Sequence, residues 1–180
     1  MGSDNMEHVI KQLKQVRTDA VLGKKKHYNA ADRKRKYDKY VSIGQIVINA
    51  LTGTALLPVV FGQGNKIAEI VALLLAIMAM ILSGVQKKQD YEKQAQGNTE
   101  VADMYLDIAK RTNFTICKIA DGIISNEDIT KRTEELLCRI DKANKLGAQF
   151  STNNKDYQMA REGILNGEED YTEEDLGLWE

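Results

Sequence analysis

The apolar residues of this chain are spaced in three ways, and each spacing specifies a different environment. Over residues 6–22 they recur every three or four positions. Val9, Leu13, Val16 and Ala20 share one side of a helix, with Lys11, Lys14, Arg17 and Asp19 elsewhere on it. Over residues 41–85 polar positions almost vanish: residues 41–61 carry no charge, and residues 67–85 carry one, Glu69. Beyond residue 100 helical spacing returns. Val101, Tyr105, Ile108, Thr112, Ile116 and Ile119 trace one face, and Ile129, Leu136, Ile140 and Ala143 another. Between these faces Ser125-Asn126-Glu127-Asp128 offers a cap and an acidic first turn. Gly147 closes the second helix, and residues 156–165 predict a further short one. Gly23 and Gly97-Asn98-Thr99 are the expected weak points, the first as a bend and the second as an interruption.

The middle regime decides the class. At 1.5 Å per residue the two apolar runs make helices of about 31 and 28 Å, the thickness of a bilayer's hydrocarbon core. Gly62-Gln63-Gly64-Asn65-Lys66 between them is a tight turn, so the helices are antiparallel neighbours. The alternative is a soluble bundle with this pair at its centre, but residues 70–82 are apolar on every face, and a core helix in water keeps a polar stripe. The expected fold is therefore all-α, a membrane protein with a two-helix transmembrane hairpin flanked by long cytoplasmic helices that form a bundle. The expected parts are a basic amphipathic region at 1–40, the hairpin at 41–85 with spans 41–61 and 67–85, cytoplasmic helices at 86–150, and a short helix with an acidic tail at 151–180. A single proline in 180 residues agrees with long helices.

Charge orients the hairpin. Residues 1–40 hold eleven basic and five acidic side chains, whereas residues 162–180 hold eight acidic and no basic ones. Lys24, Lys25, Lys26, Arg33, Lys34, Arg35, Lys36 and Lys39 precede the first span, Lys87, Lys88 and Lys93 follow the second, and the turn holds only Lys66. The positive-inside rule then places both termini in the cytoplasm. Tyr37 and Tyr40 fall at the cytoplasmic interface and Phe61 near the outer one. The basic residues are assigned to lipid headgroups rather than to nucleic acid, because they abut a span. No signal peptide is expected, because the first apolar block starts near Val41, too far from Met1, and Met1-Gly2-Ser3-Asp4 matches the start of a myristoylation motif only loosely. The acidic tail, from Glu168 to Asp175 and on to Leu178 and Trp179, is expected to be solvated; its apolar end offers a dock for a partner or for the basic front.

Each span carries a stripe. Ser42, Gln45, Asn49 and Thr52 step by three and four along the first, so their polar groups share a face. Polar groups in hydrocarbon demand partners, and one hairpin is not expected to satisfy all four. Two uses follow: interhelical hydrogen bonds that hold a homo-oligomer together, or a polar pore lined by several copies. Ala72, Ala76, Ala79 and Ser83 on the second span form a row of small residues suited to close helix packing. Glu69 at its start favours the positive end of a helix rather than a gating role.

Nothing in the chain selects an enzyme. His8 and His27 stand in different segments, Cys117 and Cys138 are too far apart for a ligand motif, and Gly62-x-Gly64 lacks the rest of a nucleotide fingerprint. No cofactor or metal is expected, and the cysteines are read as reduced and half-buried on helices.

The order of parts resembles the SLATT family, the two-transmembrane effector domains associated with SMODS nucleotide synthases and SLOG nucleotide sensors. The basic amphipathic helix leads through Arg17 to His27-Tyr28-Asn29-Ala30-Ala31-Asp32-Arg33. A polar-striped span, a Gly/Asn turn and an apolar span follow. A long charged helix runs from Gln86-Lys87-Lys88-Gln89-Asp90-Tyr91-Glu92-Lys93 to Met104-Tyr105-Leu106-Asp107-Ile108-Ala109. The likeness covers roughly residues 6–150. It implies an effector of a bacterial antiviral conflict system at the inner membrane that oligomerises and breaches the bilayer. The trigger would come from a separate nucleotide-signal sensor or synthase, because no sensor is fused. The alternatives are a non-conducting membrane adaptor that scaffolds a cytoplasmic partner, and a soluble all-α interaction domain.

Overall fold

In the computed structural model, which describes residues 3–62 and 66–169, every regular element is a helix. They are α1 (Ser3–Val60), α2 (Lys66–Gln89), α3 (Tyr91–Ala120), α4 (Asn126–Gly147) and α5 (Asn154–Leu165). Gln63, Gly64 and Asn65 of the expected turn and the tail from Asp170, with Leu178 and Trp179, lie outside the described residues, as do Met1 and Gly2. Two compact units result. One combines residues 3–31 with 96–169, and the other is Asp32–Ala95. The front of α1 and the later helices thus share one unit.

Both expected weak points are helical. Gly23 is buried within α1, and a Cβ there would stand 3.0 Å from ring carbons of Tyr105, so glycine serves close approach rather than a bend. Gly97-Asn98-Thr99 lies inside α3. The actual joint is one residue, Asp90, whose φ of 40° is a left-handed conformation that a short polar side chain tolerates. The Asp90 carboxylate accepts the Lys93 backbone N–H at 3.3 Å and so caps the start of α3.

The first unit is a helical bundle. Leu13, Val16 and Ala20 from α1 meet Val101, Tyr105 and Ile108 from α3 and Leu136 and Ala143 from α4 in one apolar core, with Ile116, Ile119 and Ile140 at its margin. These are the faces expected from the spacing. The buried polar groups are matched. Thr112 and Thr133 donate to the backbone carbonyls of Ile108 and Ile129 at 2.7 and 2.8 Å. His27 Nδ1 meets Asn98 Oδ1 at 2.9 Å, and the imidazole stacks on Tyr105. Tyr105 donates its phenol to Asn144 Oδ1 at 2.6 Å. Ser125 caps α4 as expected, accepting from the Asp128 N–H at 3.1 Å. Asn153 and the fully buried Asp156 form a reciprocal capping box on α5, and Asn29 donates to the Asp156 carbonyl at 3.1 Å, tying α5 to α1. Cys117 and Cys138 are free and exposed, which corrects the half-buried reading: neither falls on the inward spacing of its helix.

Tyr28 gives the bundle a pH dependence. Its phenol donates to Asp103 Oδ1 at 2.5 Å, and partial burial, with the adjacent carboxylate, pushes its pKa up to about 12. In the unfolded chain the phenol ionises near the ordinary value of about 10. Between these values the unfolded state loses the proton first, so the folded state is progressively disfavoured as pH rises from 10 to 12. Tyr28→Phe removes this contribution. The stability advantage of wild type over the variant, measured by chemical denaturation, should therefore shrink across that window and hold constant below it.

Candidate functional site

The hairpin's chemistry lies along the seam between its two helices. The inward row of α1 runs through Val41, Gln45, Ile48, Thr52, Ala55 and Val59, with Ser42 and Gly44 half-buried beside it, and that of α2 through Ala68, Ala72, Leu75, Ala79, Leu82 and Gln86. Steps of four and three alternate along both rows, the pattern of helices packed at a shallow crossing angle. Ala72 is the most deeply buried residue of α2, at 3% exposure. Ala72 and Ala79 thus sit in the packing row as expected, but Ala76 is exposed, and Leu75 and Leu82 occupy the seam instead. Both rows step by three and four and share Ala72 and Ala79; the helix turns Leu75 and Leu82 to the seam, one position before Ala76 and Ser83.

The polar stripe divides. Gln45 Nε2 donates to Ser83 Oγ at 2.6 Å, and Ser83 in turn donates to the Ala79 carbonyl at 2.9 Å. Gln86 Nε2 donates to Ser42 Oγ at 3.1 Å. Thr52 donates to its own helix, to the Ile48 carbonyl, at 2.8 Å. Three of the four groups are therefore satisfied within one hairpin, and one is not. Ser83 acts as a hydrogen-bond partner in addition to being small. Asn49 is the exception: it is exposed, to the side of the seam, and among the described residues its amide has no hydrogen-bond partner. It belongs to an outward row with Ile46, Gly53, Leu56 and Val60, all exposed.

The rest of the hairpin's outer surface is hydrocarbon. Large side chains such as Val47, Leu51, Leu73, Leu74, Met80 and Ile81 are 50–73% exposed. The most apolar stretches of the two spans are 0% and 6% buried in protein, unlike the core helix of a soluble bundle. Glu69 lies in the first turn of α2, exposed, where the helix dipole favours a carboxylate.

The basic residues assigned to lipid headgroups sit in different environments. Lys34 is buried, at 3% exposure, and is not presented to a bilayer surface. Lys24 and Lys25 belong to the bundle unit and pair with Glu169 and Glu168. Lys26 is half-buried in the same unit. Arg35 pairs with Asp32 at 3.1 Å, and Arg33 lies 5.8 Å over the Tyr37 ring. Lys36, Lys39, Lys87 and Lys88 remain exposed beside the ends of the apolar runs. Tyr37 packs on Tyr91 with centroids 5.7 Å apart, and both Tyr37 and Tyr40 present surface, as interfacial aromatics do. Gln86 and Tyr91 were not singled out from sequence. Gln86 could have been found as the continuation of the alternating row beyond Leu82, whereas Tyr91 follows the joint at Asp90 and no spacing signals it.

Two antiparallel helices, apolar outward and hydrogen-bonded along a polar seam, define an all-α membrane protein built on a two-span hairpin. The chain matches the model of the SMODS and SLOG-associating 2TM effector domain family 4 over residues 9–175, and it belongs to that family. The family's domains are effectors associated with antiviral conflict systems. No curated protein and no solved structure matches the chain.

Proposed function

We propose that the protein is a non-enzymatic effector of a bacterial antiviral system that self-associates in the inner membrane and opens a polar path through it. The observation that carries this reading is Asn49. Its neighbours in the stripe find partners inside the hairpin, while its amide faces outward among Ile46, Leu56 and Val60 without one. In hydrocarbon an unpaired amide is costly, so the stable arrangement places it against a second copy or against water held between copies. Gly53, one turn further, has nothing within 4 Å of where its Cβ would be, which leaves room for a neighbouring helix to approach. The exposed Lys36, Lys39, Lys87 and Lys88 support an orientation with both termini cytoplasmic, as does the presence of a single basic residue, Lys66, between the two apolar runs. Activation is assigned to a separate nucleotide-signal sensor or synthase.

Induced expression in bacteria should collapse membrane potential, read with a potential-sensitive dye. Asn49→Leu should abolish the collapse while the protein still fractionates with membranes, and Asn49→Gln should retain it. Gln45→Leu disrupts a bond within the hairpin and should weaken rather than abolish it. Undiminished depolarisation by Asn49→Leu at equal membrane abundance would overturn the assignment.

A further inference from the structure

The end of α5 is built to return the chain toward α1. Gly167 adopts φ 82°, its N–H donates to the Ile164 carbonyl at 3.1 Å, and the Glu168 N–H donates to the Gly163 carbonyl at 3.1 Å. This pair of bonds is the glycine-terminated helix stop that reverses the chain within one residue. Gly163 completes it: a Cβ there would overlap the Glu168 carboxylate. The reversal brings two consecutive carboxylates onto two consecutive lysines. Lys24 Nζ lies 2.7 and 2.9 Å from the two oxygens of Glu169, Lys25 Nζ lies 3.5 Å from the nearer of them, and Lys25 also pairs with Glu168. The lysine side chains are 13% exposed and that of Glu169 is 21% exposed, so the pairs with Glu169 are partly withdrawn from solvent and from screening by salt, whereas Glu168 is 62% exposed and its pair with Lys25 lies at the surface.

We propose that Glu168 and Glu169 form an internal clasp on Lys24 and Lys25, an autoinhibitory contact that holds the effector at rest; the resting role builds on the pore-forming function proposed above. Three features favour a releasable device over a fixed structural contact. The contact is ionic, so it yields to charge competition in a way that apolar packing does not. It secures the end of a 12-residue helix, too short to persist alone, and such an element opens locally at little expense to the rest of the fold. It also begins a segment, residues 168–180, with seven acidic side chains and no basic ones, so the occupant of the two lysines is the start of a strongly anionic strip. Lys24 and Lys25 sit on α1, the helix that also supplies the first span.

The test uses the full-length protein in its own membranes. Amine acylation at Lys24 and Lys25, read by mass spectrometry, reports the clasp without reference to conduction. Glu168→Gln/Glu169→Gln should raise the labelling rate at both lysines about fivefold, the shift expected when a contact of about 1 kcal/mol is lost. The same variant should depolarise cells at lower expression than wild type. Glu168→Lys/Glu169→Lys should do the same, and combining it with Lys24→Glu/Lys25→Glu should restore the wild-type threshold, which a simple loss of folding would not. Unchanged lysine labelling overturns the clasp itself. Raised labelling with an unchanged depolarisation threshold overturns its resting role. If neither wild type nor variant depolarises cells, the pore reading and the resting role fall together, while the labelling result still decides the contact.

Discussion

Replacing Ile108 by alanine is expected to destabilise the helical bundle by about 2–5 kcal/mol, enough to unfold it well below the wild-type midpoint. Ile108 is 1% exposed and sits on α3 in the core shared by Leu13 and Val16 of α1 and Leu136 of α4. Three helices that are distant in sequence converge there, so the cavity left by the truncated side chain cannot collapse by moving one of them. The control is Leu137→Ala on α4: Leu137 is 45% exposed, and its truncation should shift stability by no more than about 0.5 kcal/mol. Denaturation of the full chain in detergent, followed by hydrogen exchange in peptides from residues 101–110, separates the bundle from the hairpin. Equal protection of those amides in wild type and Ile108→Ala would show that this face is not a packed core.

That core was legible because its spacing is regular. The faces of α1, α3 and α4 each repeat at helical intervals, and amphipathic spacing has one physical meaning in water. The cap at Ser125 and the close of α4 at Gly147 were legible because local chemistry fixes them. What misled was glycine. Gly23 and Gly97 signal breaks when only local propensity is weighed, yet both are interior helix positions where a distant aromatic ring occupies the space a Cβ would take. Tyr105 and Phe150 lie far along the chain, so nothing near either glycine announces them. Asp90, the true joint, is a weaker local signal than the glycine passed over seven residues later.

The candidate site was half legible for a related reason. The stripe of Ser42, Gln45, Asn49 and Thr52 could be seen, and so could its need for partners, but which members already had them depended on the register of α2. That register sets Ser83 against Gln45 and Gln86 against Ser42, leaving Asn49 beside the seam. The basic front shows the opposite failure. From sequence Lys24 and Lys25 read as lipid ligands and the acidic segment as solvated, with only its apolar end offered to the basic front, whereas the pairing is a tertiary contact of Glu168 and Glu169 made by a helix stop at Gly167.

Gly97→Ala is the sharpest test of how the bundle closes around α3. In an exposed helix interior this change stabilises by about 1 kcal/mol, because alanine loses less backbone freedom. Here the added Cβ would overlap the Phe150 ring at three carbons, the least severe at 2.5 Å. Phe150 is half-buried at the margin of the core, on the connection between α4 and α5. Either the ring leaves, exposing apolar surface and loosening the connection, or α3 is displaced beside Asn98 and its bond to His27. Overpacking of this kind should outweigh the propensity gain and leave a net loss of about 1–3 kcal/mol. The sign should depend on Phe150. In a Phe150→Ala background the obstacle is gone while the helical preference remains, so Gly97→Ala should become stabilising, and the two changes should be strongly non-additive in a double-mutant cycle. Additive effects, or stabilisation by Gly97→Ala alone, would mean that the ring does not rest on Gly97 and that the uninterrupted α3 has another cause.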